Sequence, residues 1–355
     1  MGLPTIDIIF KTTAATAIQR SQKGVVGLIL KDGNQAAQGA KRLTAASEVP
    51  EALGEDNRGY VERAFLGYVT PPRAVVLYTL DSTAENLEGA LSYFATQEDV
   101  FRVAEDVLYD VFSTFSDKPV SPAPFKRIPY AECMLKYGTD KPDLRNPLEI
   151  IDISDLFVST DFAPFRGKTV RAINVPGCAS RSKSFFENML KFATDIGMKG
   201  LGYVKVTDDM SFQGPIDKFL TADDRQELIR RAGLEPGCVL YFIADSKELA
   251  PRLAGQIRTE VARRMDLIDE NRYELCFVVD FPMYERDEES GQLIFTHNPF
   301  SMPQGGLQAL ETMDPLDILA YQYDIVCNGV ELSSGAVRNH DLDVMVKAFA
   351  LAGYT

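Results

Sequence analysis

Missing from this sequence are any CxxC pair, any apolar run long enough to span a bilayer, and any excess of positive charge. The cysteines (Cys133, Cys178, Cys238, Cys276, Cys327) are scattered and odd in number. That excludes a zinc ribbon and a disulfide framework and leaves reduced thiols. Without about 20 consecutive apolar residues no helix crosses a membrane. The N-terminus, Met1-Gly-Leu-Pro-Thr-Ile6, lacks a basic signal region and has Ile6 where myristoylation needs Ser or Thr. The expected location is therefore the cytoplasm. A formal net charge of −14 excludes a general nucleic-acid-coating role, which needs a basic surface, although a local basic groove stays compatible with it. Histidine occurs only at positions 297 and 340, and a lone histidine is more often structural than catalytic.

What is present begins with length: 355 residues leave room for two or three domains and a substantial core. The most informative stretch runs from Thr296 to Arg338. Within it Asn328-Gly329 lies between alternating apolar runs, the strongest short-range signal for a two-residue hairpin. The expected pairing sets Cys327 opposite Val330, Val326 opposite Glu331 and Asp324 opposite Ser333. Ile325, Cys327, Val330 and Leu332 then share an apolar face, and Asp324, Val326, Glu331 and Ser333 share the other. Asp324 and Glu331 become diagonal neighbours, roughly 7–8 Å apart at the backbone. One hard cation can bridge that separation, because Mg²⁺ takes one or two carboxylates and fills its other positions with water and phosphate oxygens. Arg338, beyond a flexible Gly335, adds a planar cation suited to a carboxylate or phosphate. By pattern alone, such a polar face is most often only solvated.

The phrases His297-Asn298-Pro299-Phe300-Ser301-Met-Pro303, Tyr323-Asp324-Ile-Val-Cys-Asn328-Gly329-Val-Glu331-Leu and Gly335-Ala-Val-Arg338 resemble the C-terminal half of a bacterial aspartate–tRNA ligase. Phe94-Ala-Thr-Gln-Glu-Asp99-Val and Thr139-Asp140-Lys141-Pro142-Asp143-Leu144-Arg145 extend the resemblance back to about residue 94. It implies a partial class II synthetase core over 94–150 and 273–355, built on an antiparallel sheet, with an inserted α+β domain over 151–272. It also implies ATP with Mg²⁺, aspartate and tRNA as partners. His297 would help hold aspartate and Arg338 would clamp its side-chain carboxylate. Glu331, with Asp324, would bind ATP through Mg²⁺. Asn298 stands where many members carry a second histidine, which leaves the tRNA choice open between aspartate tRNA alone and asparagine tRNA as well. The family's motifs 1, 2 and 3 are not matched in these residues, and the expectation is a chain that does not charge tRNA alone.

Residues 1–93 read as a small α/β piece of strands Ile6–Phe10, Val25–Leu30 and Ala74–Tyr78 with a helix over 84–93. Met1-Gly-Leu-Pro4, Ile8-Ile-Phe10, Ala14–Ser21 and Tyr60-Val-Glu62-Arg63 are similar to the N-terminal part of a phage tail sheath protein. That resemblance implies a structural, oligomer-forming alternative. The overall expectation is α+β. Further on, Thr96 should cap a helix whose apolar stripe is Val100, Val103, Ala104, Val107, Leu108, Val111 and Phe112. Pro119 to Pro129 reads as a proline-broken loop, and the charges on 222–231 and 258–264 read as solvated faces. Leu275–Met283 reads as a doubly buried central strand. Gly197-Met-Lys-Gly200-Leu-Gly202 lacks the strand–helix setting of a dinucleotide loop.

Overall fold

The computed structural model describes residues 25–37, 39–66, 74–81, 97–287 and 290–354. The expected strand Ile6–Phe10, the helix over 84–93 and the Thr96 cap lie outside them. The chain divides into two compact units, Met1–Thr96 and Gln97–Thr355.

In the first unit β1 (Val25–Asp32) pairs in parallel with β3 (Ala74–Asp81), which pairs antiparallel with β2 (Gly39–Leu43). Helix α1 (Glu55–Leu66), not foreseen from the sequence, buries Val61 and Phe65 against Leu43, Leu53, Val75 and Leu77.

The second unit opens with α2 (Gln97–Phe115). Its buried stripe keeps Ala104, Leu108 and Phe112 of the expected one and adds Phe101, while Val111 is exposed. Aromatic burial decides this, because Phe101 stacks on Phe277 with ring centroids 4.1 Å apart. The proline-broken segment contains a strand after all, β4 (Lys126–Pro129), followed directly by α3 (Tyr130–Lys136). Pro129 is tolerated because it ends an edge strand.

The main sheet has the order β14-β13-β10-β4, from β10 (Leu275–Pro282), β13 (Leu319–Cys327) and β14 (Val330–Ala336). Its β14–β13 and β13–β10 pairs are antiparallel and β10–β4 is parallel. As its poorly alternating run predicts, β10 is buried on both faces, with Phe277 in the cluster beneath α2 and Cys276 and Val278 in the one beneath α3. Two short strands, β11 (Tyr284–Arg286) and β12 (Leu293–Phe295), form a ribbon that leads to His297. α7 (Gly306–Thr312) and α8 (Leu342–Leu351) pack beside it.

Between α3 and β10 lies a second sheet, β5-β6-β9-β7-β8, antiparallel at every pairing. Its strands are Ile150–Asp152, Thr169–Val175, Gly202–Val206, Phe212–Gln213 and Val239–Asp245 for β5 to β9 in chain order. α4 (Lys183–Asp195) and α6 (Leu249–Met265) cover one face, and α5 (Ala222–Ala232) covers the other. The α5 ends carry the signals that fix them: a Thr221–Asp224 capping box and a left-handed Gly233. All five cysteines are free and buried.

Candidate active site

The hairpin turn falls where expected. Asn328 (φ 54°) and Gly329 (φ 81°) both take positive φ, the requirement of a type I′ turn. The Asn328 side chain accepts from the Glu274 N–H (2.9 Å) and donates to the Arg272 carbonyl (3.1 Å), tying the turn to the start of β10.

The register beyond it corrects the expectation. Cys327 opposes Val330 and Val326 opposes Glu331, but Ile325 opposes Ser333 and Asp324 opposes Ser334. Leu332 is an extra residue in a β-bulge. With it goes the expected apolar face of β14: Val330 and Leu332 are exposed at 61% and 42%. Gly335 is also not a flexible joint. A side chain there would lie 2.3 Å from the Tyr323 hydroxyl, so glycine is needed for the tyrosine ring to cross the strand.

Asp324 and Glu331 nevertheless converge, and the group that joins them was not foreseen. Lys141 Nζ lies 2.6 Å from Asp140, 3.2 Å from Glu331 and 3.6 Å from Asp324. In sequence the Thr139–Arg145 run looks like a surface turn. In space it packs on the hairpin, where a side chain on Gly329 would meet Asp143 Cβ at 3.3 Å. One ammonium shared among three carboxylates cannot neutralise them all. Burial first, then the Glu331 charge, push the Asp324 carboxyl up to about 6, with Lys141 pulling the other way. Burial opposes the Lys141 charge too, but its hydrogen bond to Asp140 and the further carboxylates raise its pKa.

The raised carboxyl has a sign that can be checked. Native Asp324 keeps its proton to about pH 6, whereas an unfolded aspartate loses it near 3.9. The native state therefore binds more protons between these values. This contribution to stability is full below about pH 4 and is lost as pH rises through 6, on the order of 2–3 kcal/mol. Asp324→Asn should flatten the dependence of the urea midpoint on pH across that window, and an unchanged slope would contradict it.

His297 and Arg338 open onto the same cleft, of about 480 Å³, with Asn298, Gln322, Asp324, Glu331 and Lys141. Gln322, on β13, donates to the Asn298 carbonyl (2.9 Å) and the Ser301 hydroxyl (2.7 Å), which fixes the loop carrying His297. Although His297 is exposed, its ring stands edge-on to Phe281 at 5.0 Å, and partial desolvation of the imidazole lowers its pKa. Arg338 follows β14 and is held by a bridge to Ser301. Its guanidinium is exposed and forms no ion pair with any described residue. His340, by contrast, has Nδ1 at 3.4 Å from the Arg338 carbonyl and does not line the cleft.

No cluster of three or more His, Cys, Asp or Glu side chains able to hold a metal occurs among the described residues. Asp324 and Glu331 supply two hard oxygen donors, and the donor set fits magnesium that takes its remaining ligands from water and phosphate.

The mainly antiparallel sheet that carries Asp324 and Glu331 is part of a chain of known class. Residues 87–355 match the family model of tRNA synthetases class II (D, K and N), and the chain belongs to that family. Within it, the chain is 51% identical to the aspartate–tRNA ligase of Streptomyces avermitilis over 261 residues, covering 74% of this chain and 44% of that protein. It is 49% identical to the aspartate–tRNA(Asp/Asn) ligase of Rickettsia bellii over 271 residues, covering 74% and 45%. The chain thus spans less than half the length of these relatives.

Proposed function

We propose that the cleft is the aspartate and ATP site of an aspartate–tRNA ligase and that tRNA is the acceptor. The convergence of Arg338, His297, Asp324, Glu331 and Lys141 on one cleft carries this reading, and the names of the relatives support it. Arg338 receives the substrate's side-chain carboxylate, since a guanidinium with no ion-pair partner can take both oxygens at once. His297, whose pKa is lowered by partial desolvation, offers in its neutral form one N–H donor and one acceptor to the amino acid. Asp324 and Glu331 would hold Mg²⁺, which would supply neutralisation of phosphate charge.

The reaction is attack of the aspartate α-carboxylate oxygen on the α-phosphorus. An O–P bond forms, the α–β bridge breaks and pyrophosphate leaves; a hydroxyl oxygen at the tRNA 3′ end then bonds to the acyl carbon, the acyl–phosphate bond breaks, AMP leaves and the hydroxyl proton passes to solvent. The contribution of these residues is orientation of two anions, without proton transfer by a side chain. Among the described residues no helix is long and apolar enough to cross a membrane, which accords with a cytoplasmic setting.

Arg338→Ala should weaken aspartate binding to the full chain about 100-fold by calorimetry, with Arg338→Lys in between because an ammonium cannot bind both oxygens in plane. Equal aspartate affinity in the alanine variant, or no saturable binding by the unaltered chain, would overturn the reading.

A further inference from the structure

Residues Met198 to Gly202, from the glycine-containing run unsuited to a phosphate, form one wall of a cleft in the inserted unit. β9 extends to Asp245, but β7 starts at Gly202 opposite Phe242. Residues 243–245 therefore pair with β6 on one side and with no described strand on the other. At this open end α4 and the 162–165 loop, on opposite faces of the sheet, leave a space of about 810 Å³ between them. Small residues keep it open. A side chain at Gly202 would collide with Ile216 at 2.7 Å, and at Gly200 it would meet nothing within 4 Å.

The walls are apolar: Phe165, Phe186, Leu190, Met198 and Ile216, with the Tyr203 ring stacked on Phe186 at 4.6 Å. A cleft of this size and lining suits a small organic molecule. Its charges select the kind. Three lysines and two acids line it. Lys183 is paired with Glu187 at 3.4 Å, and the Asp245 carboxylate accepts the Ser246 N–H at 2.8 Å. Lys168 and Lys199 form no ion pair with any described residue. In a chain of net charge −14, an apolar cleft bordered by two unpaired ammonium groups is complementary to an apolar body with a single anionic head. A neutral lipid would leave the lysines unused, and a polyanion would face Glu187 and Asp245.

We propose that this cleft binds an amphipathic carboxylate, with its apolar part against Phe186, Leu190 and Met198 and its head at Lys168 and Lys199. The inference does not rest on the aspartate and ATP reading, because no residue is shared between the two sites.

Decanoate is the probe, titrated calorimetrically into the full chain beside decanol and decylamine. The expected result is saturable one-to-one decanoate binding, weakened roughly tenfold by the exposed double change Lys168→Glu/Lys199→Glu. Leu190→Asp, also at an exposed position, should weaken it similarly and report on the wall independently. Absence of decanoate binding into the millimolar range would overturn the proposal. So would decanol or decylamine binding as tightly, or a lysine double variant with unchanged affinity.

Discussion

Gly138→Val is expected to destabilise the Gln97–Thr355 unit by about 4 kcal/mol or more. Gly138 has φ +68°, a region that β-branched side chains avoid, and a Cβ there would lie 2.1 Å from the Pro251 carbonyl oxygen and 2.6 Å from the Gly255 nitrogen. Both obstacles are backbone of α6, so neither can turn aside. The closeness is mutual, since a Cβ on Gly255 would lie 2.7 Å from the Gly138 oxygen. One turn further along α6, Arg258 is 1% exposed and fixes the same crossing. It donates to the carbonyls of Leu148 (2.5 Å), Asn146 (2.8 Å) and Asp143 (3.1 Å). Burial pushes its pKa down to about 10, still leaving it charged at neutral pH. Arg258→Met, which orphans these carbonyls while keeping much of the volume, should cost about 3 kcal/mol. Hydrogen exchange over residues 130–145 and α6 measures both losses locally. Protection unchanged in the Gly138 variant would mean that the loop and α6 do not touch.

The glycine crossing also explains which parts of the site were legible. Asn328-Gly329 announced its turn because only a few residues accept positive φ at both positions. The bulge at Leu332 left no such mark: a one-residue slip depends on what β13 must bury on the far side, where Asp324 pairs with Val278 of β10. His297 was readable only as part of a family phrase, since no local pattern demands it, whereas Arg338 was legible as a planar cation just past the hairpin and took its role only from the phrase. Lys141 was hidden because Asp-Lys-Pro-Asp has the composition of a solvated turn. The available hint was Gly138 ending α3 just before it, a residue whose reason lies in α6. Arg258 was hidden by its neighbours. Glu260, Arg263 and Arg264 do form solvent-side pairs on the same helix, and nothing in the spacing sets Arg258 apart. On α2 the expected stripe held at Ala104, Leu108 and Phe112; it left out Phe101, whose bulk packs at the centre of the contact, and took in Val111, which is exposed.

Lys141→Met should tighten binding of Mn²⁺, a paramagnetic stand-in for magnesium, by roughly tenfold or more. The ammonium now rests against Asp140 and also against Asp324 and Glu331, and the last two supply the oxygens that a divalent cation at this place would use. Two cations cannot share them: at a separation of about 4 Å, a single pair of unit charges interacts by about 4 kcal/mol at an effective dielectric of 20. Metal binding to the unaltered chain must therefore displace Lys141 or bear its repulsion. Methionine keeps the length and removes the charge. Without metal, the same change leaves three carboxylates facing one another with no cation among them, so the variant should also be less stable than the unaltered chain at pH 7. Added Mn²⁺ should restore that stability by mass action. Free Mn²⁺ measured by electron paramagnetic resonance gives the affinity, and the urea midpoint with and without the metal gives the coupling. Equal affinities in the two proteins would show that Lys141 does not stand in the cation's place. An absence of binding in both would instead remove Asp324 and Glu331 from the metal site, leaving the arginine-based recognition of aspartate to be judged by its own experiment.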